Sequence, residues 1–90
     1  MAGKGLNTMN KLLVVYSSAT TATRLKMALA KDGYDARVLQ TPQALTSSGC
    51  GYSVEIFSSA LGRLKALTYQ MGVRFKGIYE VVGNEYRKIE

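Results

Sequence analysis

The order of apolar segments predicts an α+β domain with the ferredoxin-like split βαβ arrangement (β-α-β-β-α-β), a four-stranded antiparallel sheet carrying two helices on one face. Three observations predict it. Lys11-Leu12-Leu13-Val14-Val15-Tyr16 is a short apolar, partly β-branched run. Tyr52-Ser53-Val54-Glu55-Ile56-Phe57 alternates apolar and polar, and each of these runs is followed by a stretch with apolar residues at helical spacing. Right-handed crossovers make the strand order 4-1-3-2 the economical solution.

Residues 1–10 have little periodicity and read as a loose leader, so the single domain spans 11–90. Lys11 to Tyr16, bounded by Ser17-Ser18, fits a central strand buried on both faces. Ser17 or Ser18 can cap the next helix by accepting a bond from an orphan N–H, and Ala22, Leu25, Ala28 and Leu29 form its buried stripe. Arg24, Lys26 and Lys31 fall off that stripe, and Gly33 supplies the stop. Asp35 to Gln40 is the second strand. Thr41-Pro42 is a helix-start pair, with Thr41 as cap, and predicts one turn over Pro42 to Leu45. In the third strand Tyr52, Val54 and Ile56 share one face, while Ser53, Glu55 and Phe57 share the other. Ser58-Ser59 caps the second helix, in which Leu61, Leu64, Leu67, Thr68 and Met71 follow a 3-4 rhythm until Gly72. Phe75 to Val82 is the last strand of the predicted sheet, and Gly83-Asn84 can fold Glu85 to Ile89 back on it as a short hairpin.

Ninety residues, 47% of them hydrophobic, suffice for one modest core. Twelve Lys and Arg against six Asp and Glu give a net charge of +6, which reads either as a soluble basic surface or as attraction to an acidic partner or nucleic acid. No apolar run approaches the roughly 20 residues needed to span a bilayer, and Met1-Ala2-Gly3-Lys4-Gly5 lacks a signal peptide's apolar stretch. A cytoplasmic location, no membrane contact and a reduced cysteine are therefore expected. With no histidine and one cysteine, neither a transition-metal cage nor a Ser-His-Asp or Cys-His arrangement can be assembled within one chain. Glycine-rich phosphate motifs are absent, paired carboxylates are not placed together, and no cofactor is expected.

The residue with chemistry to offer is Cys50, in the small-residue run Thr46-Ser47-Ser48-Gly49-Cys50-Gly51. A lone thiol flanked by glycines has no internal disulfide partner and reads as a reachable nucleophile. The predicted topology brings this connection to the sheet end where the first strand stops, the first helix starts and the last strand begins. Backbone N–H groups from Ser18 to Thr21 and the cations Arg74 and Lys76 then approach the thiol and favour thiolate. The alternative is that Cys50 is a small residue tolerated in a turn.

Two segments suggest a family. Leu39-Gln40-Thr41-Pro42-Gln43-Ala44-Leu45-Thr46-Ser47-Ser48-Gly49-Cys50-Gly51 resembles the T-P-x-x-[IL]-S-S-S-C-G segment of the putative selenium/sulfur carrier protein-like family. Tyr16-Ser17-Ser18-Ala19-Thr20-Thr21-Ala22 is similar to that family's aromatic-x-S-x-x-x-A at the strand-to-helix junction, and the similarity covers roughly residues 11–80. The resemblance implies that Cys50 is the family's conspicuous cysteine, with Pro42, Ser47, Ser48 and Gly51 shaping its loop. Gly49 stands where the family usually has a third Ser. Ala19, Thr20 and Thr21 stand where members often carry histidine, so activation by histidine is not available here.

The implied function is carriage of sulfur or selenium, as a persulfide or selenosulfide on Cys50, between a donor protein and an acceptor protein. Ser47, Ser48 and the N–H of Gly51 would supply donors to the anionic terminal atom and Arg74 or Lys76 charge, with Ser18 at the helix start and Gly49, which removes a hydroxyl and loosens the loop, completing the substrate-binding set. Two other classes compete. A four-stranded sheet with two helices is also an RNA-recognition architecture, but Tyr52 shares its face with Val54 and Ile56, and Glu55 repels phosphate, so nucleic acid is disfavoured. A small adaptor whose sheet edge or face pairs with a second copy, giving a homodimer, fits the uncovered side of a two-layer domain.

Overall fold

The computed structural model describes residues 10–46 and 51–90. The elements are β1 (Lys11–Tyr16), α1 (Ala19–Lys31), β2 (Ala36–Gln40), a 3₁₀ turn (Gln43–Leu45), β3 (Tyr52–Phe57), a second 3₁₀ turn (Ser58–Ala60), α2 (Leu61–Gln70), β4 (Gly77–Val82) and β5 (Glu85–Lys88). They build an α+β fold in which both helices pack on one side of an antiparallel sheet ordered β2-β3-β1-β4-β5.

The sheet has five strands, not the four expected. Gly83 adopts φ +59°, which a side chain would disfavour, and so makes a two-residue turn with Asn84 that sets Val82 opposite Glu85. The chain after it then has a complete ladder to join, from Val82↔Glu85 to Tyr79↔Lys88.

β1 lies at the centre because all five of its apolar residues need cover. Leu12, Val14 and Tyr16 face the helices, while Leu13 and Val15 lie on the other face, and every one of them is buried. Ala22, Leu25 and Leu29 from α1 and Leu64 and Leu67 from α2 close over Val54, Ile56 and Ile78, as the 3-4 spacing requires. Arg63 of α2 holds Asp32, the C-cap of α1, at 2.6 Å, tying the two helices at the surface. Asn10 is docked as well: its carbonyl accepts the Ser58 N–H at 2.8 Å and its side chain reaches Glu80.

Two expected caps are not used. α2 has Ala60 at its N-cap and no side-chain capping bond, because Ser58 and Ser59 are taken up in the preceding 3₁₀ turn. Pro42 caps the turn at Gln43–Leu45 without a side-chain bond, and Thr41 faces elsewhere.

Tyr16 reaches across the core to α2. Its phenol lies 2.7 Å from the Thr68 hydroxyl, which itself donates to the Leu64 carbonyl at 2.8 Å, so Tyr16 is the donor. Burial pushes its pKa up to about 12, and the Thr68 hydroxyl, able to turn toward a phenolate, pulls part of the way back. The sign for stability follows. Above its ordinary value of 10 the unfolded chain loses this proton while the folded chain keeps it to about 12, so stability falls as pH rises through that window. Wild type is expected to lose up to about 1.4 kcal/mol per pH unit there relative to Tyr16→Phe, which costs about 1 kcal/mol at neutral pH. Urea unfolding of the two proteins checks this, and parallel pH profiles would contradict it.

Candidate functional site

The register brings four chain segments to one end of the sheet. Tyr52 opens β3 opposite both Gln40, the last residue of β2, and Tyr16, the last residue of β1, while Gly77 opens β4 opposite Val15. The connection from β2 to β3, which carries the sequence-predicted site, therefore starts and ends at this edge. Ser47, Ser48, Gly49 and Cys50 lie outside the described residues.

The base of that connection is a closed clamp. The Thr41 N–H donates to the Gly51 carbonyl at 3.1 Å, and the Thr41 hydroxyl is 2.8 Å from that of Ser53 in a fully buried pair. Two buried hydroxyls satisfy each other here, so neither leaves a desolvated polar atom behind. Gly51 is buried with φ +122°, and a Cβ on it would stand 3.3 Å from the Tyr16 carbonyl oxygen and 3.4 Å from Thr41 Oγ1. Only glycine lets the chain leave the cysteine segment and enter β3 so close to the end of β1. The place of Thr41 before Pro42 predicts a capping task for it. The structure gives it the clamp, because a residue that continues the β2 ladder by one position has its N–H aimed at β3. The register that sets Gln40 against Tyr52 is the signal for this, and it appears only once the strands are paired.

Ser18 is the N-cap of α1, in extended conformation, with its hydroxyl accepting the Thr21 N–H at 3.3 Å and its carbonyl accepting the Ala22 N–H at 3.1 Å. Two residues separate Tyr16 from α1, so the N-terminus of this helix sits at the same sheet end, with first-turn N–H groups that have no partner inside the helix. Ser18→Ala removes the cap and is expected to cost about 0.5–2 kcal/mol, read as a lower midpoint in thermal unfolding; an unchanged midpoint would show the cap to be idle.

Lys76 and Arg74 are both exposed. The Lys76 N–H donates to the Val15 carbonyl at 2.6 Å, which fixes this residue at the end of β1 on its β4 side. Gly51 lies on the β3 side, so the two backbones are separated by two inter-strand steps, roughly 10 Å. Arg74 lines a cleft of about 400 Å³ with Lys65, Tyr69, Phe75 and Glu90, two of which, Lys65 and Glu90, form an ion pair. Gly51, Ser18 and Lys76 thus share one sheet end, and Arg74, two residues before Lys76, also lines the cleft beside α2.

Among the described residues no group of three or more His, Cys, Asp or Glu could hold a metal ion, and no helix is long and apolar enough to cross a membrane. No curated protein and no solved structure shows significant similarity to the chain. The family model of the putative Se/S carrier protein-like proteins matches residues 11–80, from the first residue of β1 into β4 and through the whole Thr41–Gly51 connection, and the chain belongs to that family.

Proposed function

We propose that the protein carries one sulfur or selenium atom on Cys50 between a donor protein and an acceptor protein in a reducing, cytoplasmic setting. The observation that supports this most is the clamp of Thr41, Gly51 and Ser53 immediately beside the chain's only cysteine, in a member of the putative Se/S carrier protein-like family. Strands β1 to β4 and the two helices are taken as the split βαβ, ferredoxin-like unit, with β5 added on the β4 edge.

The chemistry balances without an oxidant. The Cys50 thiolate attacks the terminal sulfur of a donor persulfide, a new S–S bond forms at Cys50, the donor's S–S bond breaks, and the donor thiolate leaves with the electron pair. Transfer repeats the step in reverse sense: an acceptor nucleophile takes the terminal sulfur or selenium, and the Cys50 thiolate is the leaving group. Such a site calls for hydrogen-bond donors and positive charge for the anionic terminal atom. Ser47, Ser48, the Gly51 N–H and Lys76 are the proposed sources, with the N-terminus of α1, capped by Ser18, adding partial positive charge. Arg74, two residues before Lys76, is a second proposed source of charge.

Incubation with a small-molecule persulfide donor followed by intact-mass measurement tests the reading. One added sulfur atom per chain, removed again by excess thiol, is the expected result. A donor that loads a free thiol in the same tube but leaves this protein's mass unchanged would overturn it.

A further inference from the structure

We infer that the outer edge of β5 is a self-association surface, on which a second copy of the chain pairs antiparallel about Tyr86 to extend the sheet. This goes beyond the carrier reading and does not rest on it. Among the described residues β5 pairs only with β4, so its outer row of backbone groups is open. The two-residue turn makes Val82 and Glu85 the first hydrogen-bonded pair, and alternation then aims the backbone of Glu85 and Arg87 at β4 and that of Tyr86 and Lys88 outward.

A two-fold axis normal to the sheet can centre only on a residue opposite its own copy; Glu85 and Lys88 lie at the ends of β5 and would each face their own charge, which leaves Tyr86 and Arg87. Centring on Arg87 sets two guanidinium groups against each other. Centring on Tyr86 makes a hydrogen-bonded pair of the two outward-facing tyrosine backbones, sets Glu85 opposite the partner's Arg87 twice, and places Asn84 opposite the partner's Lys88. The charges are complementary where it counts. Glu85 is exposed and takes part in no ion pair among the described residues, while Arg87 already holds Glu80 and would bridge two carboxylates. The opposite edge offers less: β2 centred on Val38 sets Arg37 against the partner's Leu39, with no charge match.

The edge is short, so association is weak and dimer population rises across micromolar to millimolar protein. Sedimentation equilibrium of the full chain at physiological salt, where the repulsion of two +6 subunits is screened, measures it. Glu85→Arg and Arg87→Glu each turn two attractive pairs into two repulsive ones, and each is expected to weaken self-association about tenfold. Mixed together, the two variants restore complementarity at every pair and should form a heterodimer close to wild-type strength. Circular dichroism checks that both are folded. Since Arg87→Glu also loses its bond to Glu80, the Glu85→Arg variant, which touches no intramolecular pair, stands as the independent arm. A wild type that stays monomeric at millimolar concentration overturns the inference, as does a dimer that neither variant weakens, which would assign the contact to β2 or to the sheet face.

Discussion

Cys50→Ser is expected to abolish loading by a persulfide or selenosulfide donor while leaving the folded protein near its wild-type stability. The account gives this sulfur a chemical task and no packing task, and serine keeps the side chain's size while losing the soft nucleophile that accepts sulfane sulfur. Intact-mass measurement after donor treatment, paired with a thermal melt, separates the two roles. A variant that still gains a sulfur atom shows that loading occurs elsewhere. A variant that fails to fold shows Cys50 to be a structural residue, and the carrier reading loses its nucleophile.

The second large effect is expected at Gly51. Gly51→Val forces a β-branched residue into φ +122° and drives its Cβ to 3.3 Å from the Tyr16 carbonyl and 3.4 Å from Thr41. Both neighbours are held, the first by the end of β1 and the second by its bonds to Gly51 and Ser53, so neither can yield cheaply. Backbone strain and overpacking together are expected to cost about 2–5 kcal/mol, with Gly51→Ala intermediate. Chemical denaturation reads the loss. Because the clamp is the base of the cysteine connection, loading by the persulfide donor should also slow in Gly51→Ala, under conditions where that variant is fully folded. Equal stability of glycine, alanine and valine at this position would mean that the clamp does not hold the connection.

Much of the architecture was legible in the chain because burial leaves a period. The continuous run Leu12 to Tyr16 announced a strand covered on both faces, and the 3-4 spacing of Leu25 with Leu29 and of Leu64 with Leu67 announced two helices sharing one core. What was illegible depends on pairing partners. The fifth strand exists because β4 leaves an edge for Glu85 to Lys88 to join, and sequence alone offers the turn without saying whether its second arm has a place to dock. Ser58-Ser59 looked like a cap because hydroxyls before an apolar stripe usually serve as one, yet the chain coming off β3 tightens into a 3₁₀ turn there and the helix starts later. Thr41 followed the same course: its place before Pro42 suggested a helix start, and the ladder to β3 claimed it first.

The positions of Ser18 at the cap of α1 and of Lys76 beside the end of β1 were readable from topology, since the crossover that sets the strand order also sets which loops share an end. The place of Arg74 in the cleft beside α2 was not. The lining of that cleft joins Arg74 to Tyr69 of α2 and to Glu90, residues that no local pattern connects to it. The glycine at position 51 could be seen in the sequence, but the need for it comes from the Tyr16 carbonyl of another strand.

The measurement that bears most directly on the central claim is delivery. Protein preloaded with isotopically labelled sulfur and freed of donor is mixed with an acceptor thiol, and the label is followed by mass on both partners. The account predicts that label leaves Cys50 and appears on the acceptor, one atom per chain, with none carried by Cys50→Ser. Label that never attaches, or that stays on the protein however nucleophilic the acceptor, would contradict it.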